Sequence, residues 1–192
     1  AEQPFRCARW STSSMRVNVP AALRRTSLAA GWSLVVLAAL AVLAALPYRS
    51  FDLDRFLVPK ELALHVGAAL ALVLVIAGGA EARRTRLDNL LLAFLALSAA
   101  SALFAPNHWL AVRALSISIS AAFTWWGARV AAAQGGRDLL IRGLAVVTVI
   151  GAGTALAQAY GVSSDLASLS RAPGGTFGNR NFMAHIAAAG IP

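Results

Sequence analysis

The chain has 192 residues, of which 58% are hydrophobic and only 13% charged, with a mean hydropathy of +0.67. Soluble domains carry about 25% charged residues, so the composition excludes an ordinary soluble domain and points to an all-α integral membrane protein. The formal charge of +9 comes from 17 Lys+Arg against 8 Asp+Glu and lies in the short connections between apolar segments. There it reads as a topology signal rather than a nucleic-acid surface, and no nucleic-acid partner is expected.

Residues 1–26 read as a cytoplasmic amino-terminal tail. Within it "AEQPFRCARWSTSS" precedes Met15, after which "MRVNVPAALRR" resembles a normal amino terminus, so residues 1–14 are read as an upstream extension. Cys7 is the only cysteine, which excludes an internal disulfide and a cysteine metal site. Five apolar segments follow: Ser27–Leu46, Glu61–Ala80, Leu87–Phe104, Trp109–Ala131 and Leu139–Tyr160. Each is long enough to cross a bilayer, which takes about 20 residues, and lipid-exposed backbone must be helical. The expected fold is therefore a multi-span helix bundle with five complete transmembrane helices and the start of a sixth near Asn181. The first segment exceeds the apolar core of a secretory signal, so it is read as an uncleaved span. The final apolar stretch, "NFMAHIAAAGIP", is too short to cross, so 27–192 is read as a partial, truncated polytopic domain with an outward loop at 161–180.

Orientation follows from the positive charges. With the amino terminus cytoplasmic, the inner segments hold Arg6, Arg9, Arg16, Arg24, Arg25, Arg83, Arg84, Arg86, Arg129, Arg137 and Arg142. The outer segments hold Arg49, Arg55, Lys60, Arg171 and Arg180, so the count is 11 against 5, with Arg113 inside a span. Trp109 at an outer end and Trp125 with Trp126 near an inner end suit interfacial belts. Gly67, Gly151 and Gly153 read as helix-packing surfaces. Ser116 and Ser120 share a helical face, and Gln158 closes the fifth span; packing against a neighbouring helix accounts for each. The histidines His65, His108 and His185 are scattered, and neither a metal nor a cofactor is expected.

The loop after Tyr160 changes character: "GVSSDLASLSRAPGGTFGNRN" is small, polar and basic. Pro173, Gly174, Gly175 and Gly178 break regular structure and let backbone N–H groups approach a ligand. Asn179 or Asn181 is suited to cap the next helix. The positive end of that helix, beside Arg171 and Arg180, makes a candidate anion cradle. The alternative is a plain re-entry turn whose arginines meet lipid headgroups.

The run "RAPGGTFGNRNFMAH", Arg171 to His185, resembles the signature of the O-antigen ligase and polymerase superfamily, an arginine before a "GTFGNPN"-like turn that opens a transmembrane helix. Arg171, Gly175, Thr176, Phe177, Gly178, Asn179 and Asn181 match in place; position 180 is arginine where proline is usual. "DRFLVPKELAL", Asp54 to Leu64, is similar to the family's entry into its second helix, with Pro59 and Lys60 as its Pro-Lys pair. The resemblance implies a bacterial inner-membrane glycosyltransferase. Such an enzyme takes a glycan from an undecaprenyl-diphosphate carrier and transfers it, on the periplasmic side, to an acceptor hydroxyl on lipid A core, polysaccharide or protein. It implies that arginines hold the diphosphate by bidentate hydrogen bonds as charge develops on the leaving group. It also implies an acceptor-activating loop beyond Pro192, without which this chain is inactive.

On that reading the substrate-binding candidates are Arg171 and Arg180, backed by Gly174, Gly175, Thr176, Asn179 and Asn181, with Arg113 and Lys60 as further cations. No residue of this chain is assigned as catalytic, and His185 reads as a packed or lipid-boundary residue. Two readings from other classes stand beside it: a small membrane transporter holding an anion at a half-helix terminus, and a non-catalytic membrane subunit.

Overall fold

A computed structural model describes residues 21–45, 56–77, 84–162 and 173–190. The proposed extension 1–14, most of the amino-terminal tail, and Arg171 lie outside these residues. Among the described residues the chain is all-helical: α1 (Ala21–Leu43), α2 (Leu57–Ala77), α3 (Arg86–Leu103), α4 (His108–Ala131), α5 (Arg137–Ala159) and α6 (Arg180–Ala189).

The helix starts follow local chemistry. Thr85 caps α3 in a capping box: its hydroxyl accepts from the Asp88 N–H, and the Asp88 carboxylate accepts from the Thr85 N–H at 2.5 Å. Asn107 caps α4, its side-chain oxygen accepting from Leu110 N–H at 3.1 Å. A π-turn over Ala132–Gly136 joins α4 to α5, with Gln134 and Gly135 leaving helical geometry and Gly135 at φ +96°.

The expectation of five complete spans is not met. Three helical stretches among the described residues are long and apolar enough to cross a membrane: Leu57–Ala77, Arg86–Leu103 and the continuous run His108–Ala159. Among the described residues the apolar part of α1, Leu28–Leu43, is shorter than a span. The 52-residue run is not straight. Its direction can be read from the packing of α1, which touches α2, α4 and α5.

Gly31 meets Leu139, Val35 meets Gly143, and Val42 meets Gly151, so α1 and α5 run parallel. Leu37 meets Gly67 while Lys60 reaches the end of α1, so α1 and α2 are antiparallel. Glu61 meets Arg113, His65 meets Ser120, and Ala71 meets Gly127, so α2 and α4 run parallel. It follows that α4 and α5 are antiparallel and that the run doubles back at Gln134–Gly135. Helix α6 returns along α5, with Met183 against Gly151 and Gly190 against Thr148.

The interior mixes small and larger apolar side chains: Ala30, Ala68, Ala71, Ala122 and Ala131 are buried together with Leu34, Leu37, Val42, Val130, Val147 and Met183, whereas Leu62, Leu97, Phe94 and Val149 point outward. Small buried residues allow close backbone approach, and large apolar side chains on the outside suit a lipid surround. Gly67 and Gly151 serve as packing surfaces as the sequence suggests; Gly153 instead faces open space, and Gly143 takes the corresponding role against Val35.

A Cβ placed on Gly143 would stand 2.5 Å from Val35 Cγ2, whereas one on Gly153 meets nothing within 4 Å. Gly143→Ala is expected to destabilise the folded chain by about 1–3 kcal/mol through overpacking. Gly153→Ala should be neutral or slightly stabilising, since alanine is the better helix former by about 1 kcal/mol. Thermal unfolding in detergent micelles checks the pair; equal effects at the two positions would contradict the packing described.

Candidate functional site: a pinned glycine turn beside an apolar groove

One end of the bundle collects the carboxyl end of α1, the amino end of α2, the carboxyl end of α5 and the amino end of α6. Between α5 and α6 the chain forms a 3-10 turn, Gly175–Phe177, closed by Gly178 in the left-handed region. Gly175 and Gly178 have φ of +51° and +63°, values that cost a residue with a Cβ about 1–2 kcal/mol. Space is a second constraint. A Cβ on Gly178 would lie 2.4 Å from the Phe56 ring, and one on Gly175 would lie 3.0 Å from Thr154 Oγ1.

Three side chains hold this turn. The Gly175 N–H donates to Gln158 Oε1 at 2.8 Å, tying the turn to α5. The Thr176 hydroxyl donates to the Val42 carbonyl at the end of α1. Lys60, only 7% exposed, donates to the same Val42 carbonyl at 3.3 Å and to the Ala44 carbonyl, and its ammonium sits 4.6 Å from the Phe177 ring centroid. Carbonyls in the last turn of a helix lack intrahelical partners and carry partial negative charge. A lysine and a hydroxyl therefore satisfy the end of α1 while anchoring α2 and the turn to it. The cation over Phe177 adds an attraction to the ring face.

The two stretches singled out in the sequence, around Lys60 and around Gly175–Asn181, thus meet in space. Lys60 is committed to the α1 carbonyls and Phe177, which makes it the pin of the turn. Thr176 has the same role through its hydroxyl, and Gly174 and Gly175 are buried beneath it.

Asn179 caps α6, its side-chain oxygen accepting from the Asn181 N–H at 2.9 Å. Position 180 is consequently the first residue of α6, a position that tolerates proline because its N–H has no helical partner. Arginine here keeps that N–H and adds a guanidinium. Arg180 and Asn181 are exposed, and both line a groove of about 470 Å³ between α5 and α6. Its walls are apolar and mostly small, including Ala152, Ala155, Ala159, Ala184 and Ala187. Among the described residues the cation lining this greasy slot is Arg180, an arrangement suited to an anionic head on an apolar tail. His185 is exposed on α6 and does not line this groove.

Arg113 is placed elsewhere. It pairs with Glu61 through two guanidinium nitrogens, Nε donating to Oε1 at 3.0 Å and to Oε2 at 2.8 Å and Nη2 donating to Oε2 at 2.6 Å. Behind it, His65 Nδ1 is hydrogen-bonded to Ser120 Oγ at 2.7 Å, and His65 Nε2 lies 3.8 Å from Glu61 Oε1. Sequence reasoning passed over Glu61 and His65, although their i, i+4 spacing places both on one face of α2. At the opposite end of the bundle, Asp88 accepts from Trp126 Nε1 at 2.7 Å and from Arg129 at 2.5 Å, while Arg129 covers the Trp125 ring. Trp126, expected from the sequence to mark an interface, therefore clasps α3 to α4.

Comparisons with protein-family models, with curated proteins and with solved structures found no match.

The turn makes a double-mutant test. Gly178→Ala is expected to destabilise by about 2–4 kcal/mol, combining the left-handed φ with the clash on Phe56. In a Phe56→Ala background the clash vanishes, and the same substitution should cost only about 1–2 kcal/mol. Equal penalties in both backgrounds, read by thermal unfolding, would show that Phe56 does not pack on Gly178.

Proposed function

We propose that this chain binds the undecaprenyl-diphosphate end of a lipid-linked glycan, as part of an O-antigen ligase- or polymerase-like glycosyltransferase of the bacterial inner membrane. The observation that carries the reading is the placement of Arg180 and Asn181 at the edge of the α5–α6 groove by a turn pinned on three sides. A diphosphate seats on the Arg180 guanidinium beside the Asn179-capped amino end of α6, where charge-assisted hydrogen bonds and the helix dipole favour an anion. The polyprenyl chain lies along the alanine-walled slot. The glycan then projects away from the bilayer towards its acceptor hydroxyl on lipid A core, polysaccharide or protein.

Charge distribution supports a periplasmic position for the turn and a cytoplasmic amino terminus. Arg25, Arg84, Arg86, Arg129 and Arg137 belong to the end of the bundle opposite the turn, as the positive-inside tendency requires. The transporter reading calls for charged groups at mid-depth, whereas Glu61 and Arg113 lie in the first two turns of α2 and α4. Binding, rather than turnover, is the property that the residues of this chain account for.

Native mass spectrometry with undecaprenyl diphosphate tests the reading. Arg180→Ala should weaken binding about ten- to a hundredfold, the loss of one charged hydrogen-bonding partner. Ala184→Phe, which fills the groove from its open side, should weaken undecaprenyl diphosphate and undecaprenol alike. Binding that is indifferent to both substitutions would remove this site from consideration.

A further inference from the structure

The groove between α5 and α6 has a definite length, set by the two helices that wall it. Its lining runs from Ala152 to Ala159 on α5 and from Arg180 to Ala187 on α6. At 1.5 Å per residue each wall is about 10 Å long. Its volume of about 470 Å³ suits a small ligand rather than a whole polyprenyl chain.

One end of the slot is narrow. The spacing of packed helices depends on the side chains at their contact. Beside Gly151 the spacer is the long side chain of Met183, which is buried and lines the groove from within. One turn beyond Ala187 on α6, and one turn beyond Ala152 on α5, that spacer is gone. There Gly190 lies so near Thr148 that a Cβ on the glycine would come against the Thr148 side chain, 3.0 Å from its Cβ. The helices therefore converge away from Arg180, and the slot ends where they touch.

A polyprenyl chain has a fixed repeat. Four bonds of about 1.5 Å in a zigzag make each isoprene unit about 5 Å long, so about two units fill a wall of this length. We propose, on the reading of this groove as a polyprenyl-diphosphate site, that it holds the diphosphate and only about the first two isoprene units, and that chain beyond them does not affect binding. The ligand class is then wider than undecaprenyl diphosphate: it takes in any prenyl diphosphate with enough chain to reach the narrow end. Units beyond the slot have the same surroundings free and bound, so they add nothing to affinity. A shorter tail leaves part of the alanine wall uncovered and forfeits that apolar contact.

The test is displacement of undecaprenyl diphosphate from the full chain by dimethylallyl, geranyl, farnesyl and geranylgeranyl diphosphate, a series that lengthens by one isoprene unit at a time. Bound ligand is counted by native mass spectrometry. Affinity should rise about tenfold from dimethylallyl to geranyl, as a second unit enters the slot, and then stay within about twofold through geranylgeranyl. A steady rise from geranyl to geranylgeranyl overturns the proposal, as does equal affinity for dimethylallyl and geranyl. Ala187→Leu, at the narrow end, should weaken geranyl diphosphate about fivefold more than dimethylallyl diphosphate. An unchanged ratio in the folded variant also overturns the proposal, and should the variant not fold, the series on the native chain decides. The two levels fail differently. Undecaprenyl diphosphate binding that ignores Arg180→Ala removes the diphosphate site and this inference with it, whereas Arg180-dependent binding that strengthens with every added unit keeps the site and rejects only its length limit.

Discussion

The carbonyl of Val42 is the point on which one end of this molecule depends. It sits where α1 stops and accepts from Lys60 on α2 and from Thr176 in the glycine turn. An unmet carbonyl at a helix end is costly away from water. Satisfying it with two donors from distant parts of the chain turns that cost into a joint between three segments. Gln158 adds a fourth by taking the Gly175 N–H from the α5 side. The turn is thereby fixed by Lys60, Thr176 and Gln158, and Arg180 lines the groove edge.

Helix packing supplies the precision of that joint. With lipid outside there is little hydrophobic gain in bringing helices together, so association relies on close contact and polar pairing. Glycines provide the contact: Gly67 admits Leu37, Gly143 admits Val35 and Gly151 admits Val42. Polar pairs then fix the register of α2 on α4, through Glu61 with Arg113 and His65 with Ser120, and of α3 on α4, through Asp88 with Trp126 and Arg129. Each pair is intelligible as satisfaction of groups that hydrocarbon would otherwise strand.

The first turn of α2 serves two surfaces. Lys60 points to the α1 end and Phe177, while Glu61 turns to α4 and Arg113. Consecutive helical residues are about 100° apart, which is why neighbours in sequence meet different helices. The reversal at Gly135 has a comparable effect on a larger scale, since it brings α5 back alongside α1 and sets the Gly175 turn beside the Lys60 turn.

Much of the helical framework was legible in the amino-acid sequence because hydropathy and length decide which segments leave water. The helices fall within a few residues of the apolar runs, and the Asn179 cap follows from the chemistry of its side chain. Span number was less legible: apolar runs do not say that α1 stops at Leu43 or that α4 and α5 share one doubled helical stretch. The glycine turn was recognisable by residue order, yet its candidates separate in space into a pin (Lys60, Thr176), a groove edge (Arg180, Asn181) and a distant ion pair (Arg113). Local sequence determined helices, caps and the positive-φ glycines, since those depend on backbone sterics and neighbours in the chain. Which polar groups meet was decided only by the tertiary structure, because Lys60 with Val42, Thr176 with Val42 and Glu61 with Arg113 are contacts between helices whose mutual rotation no single segment encodes.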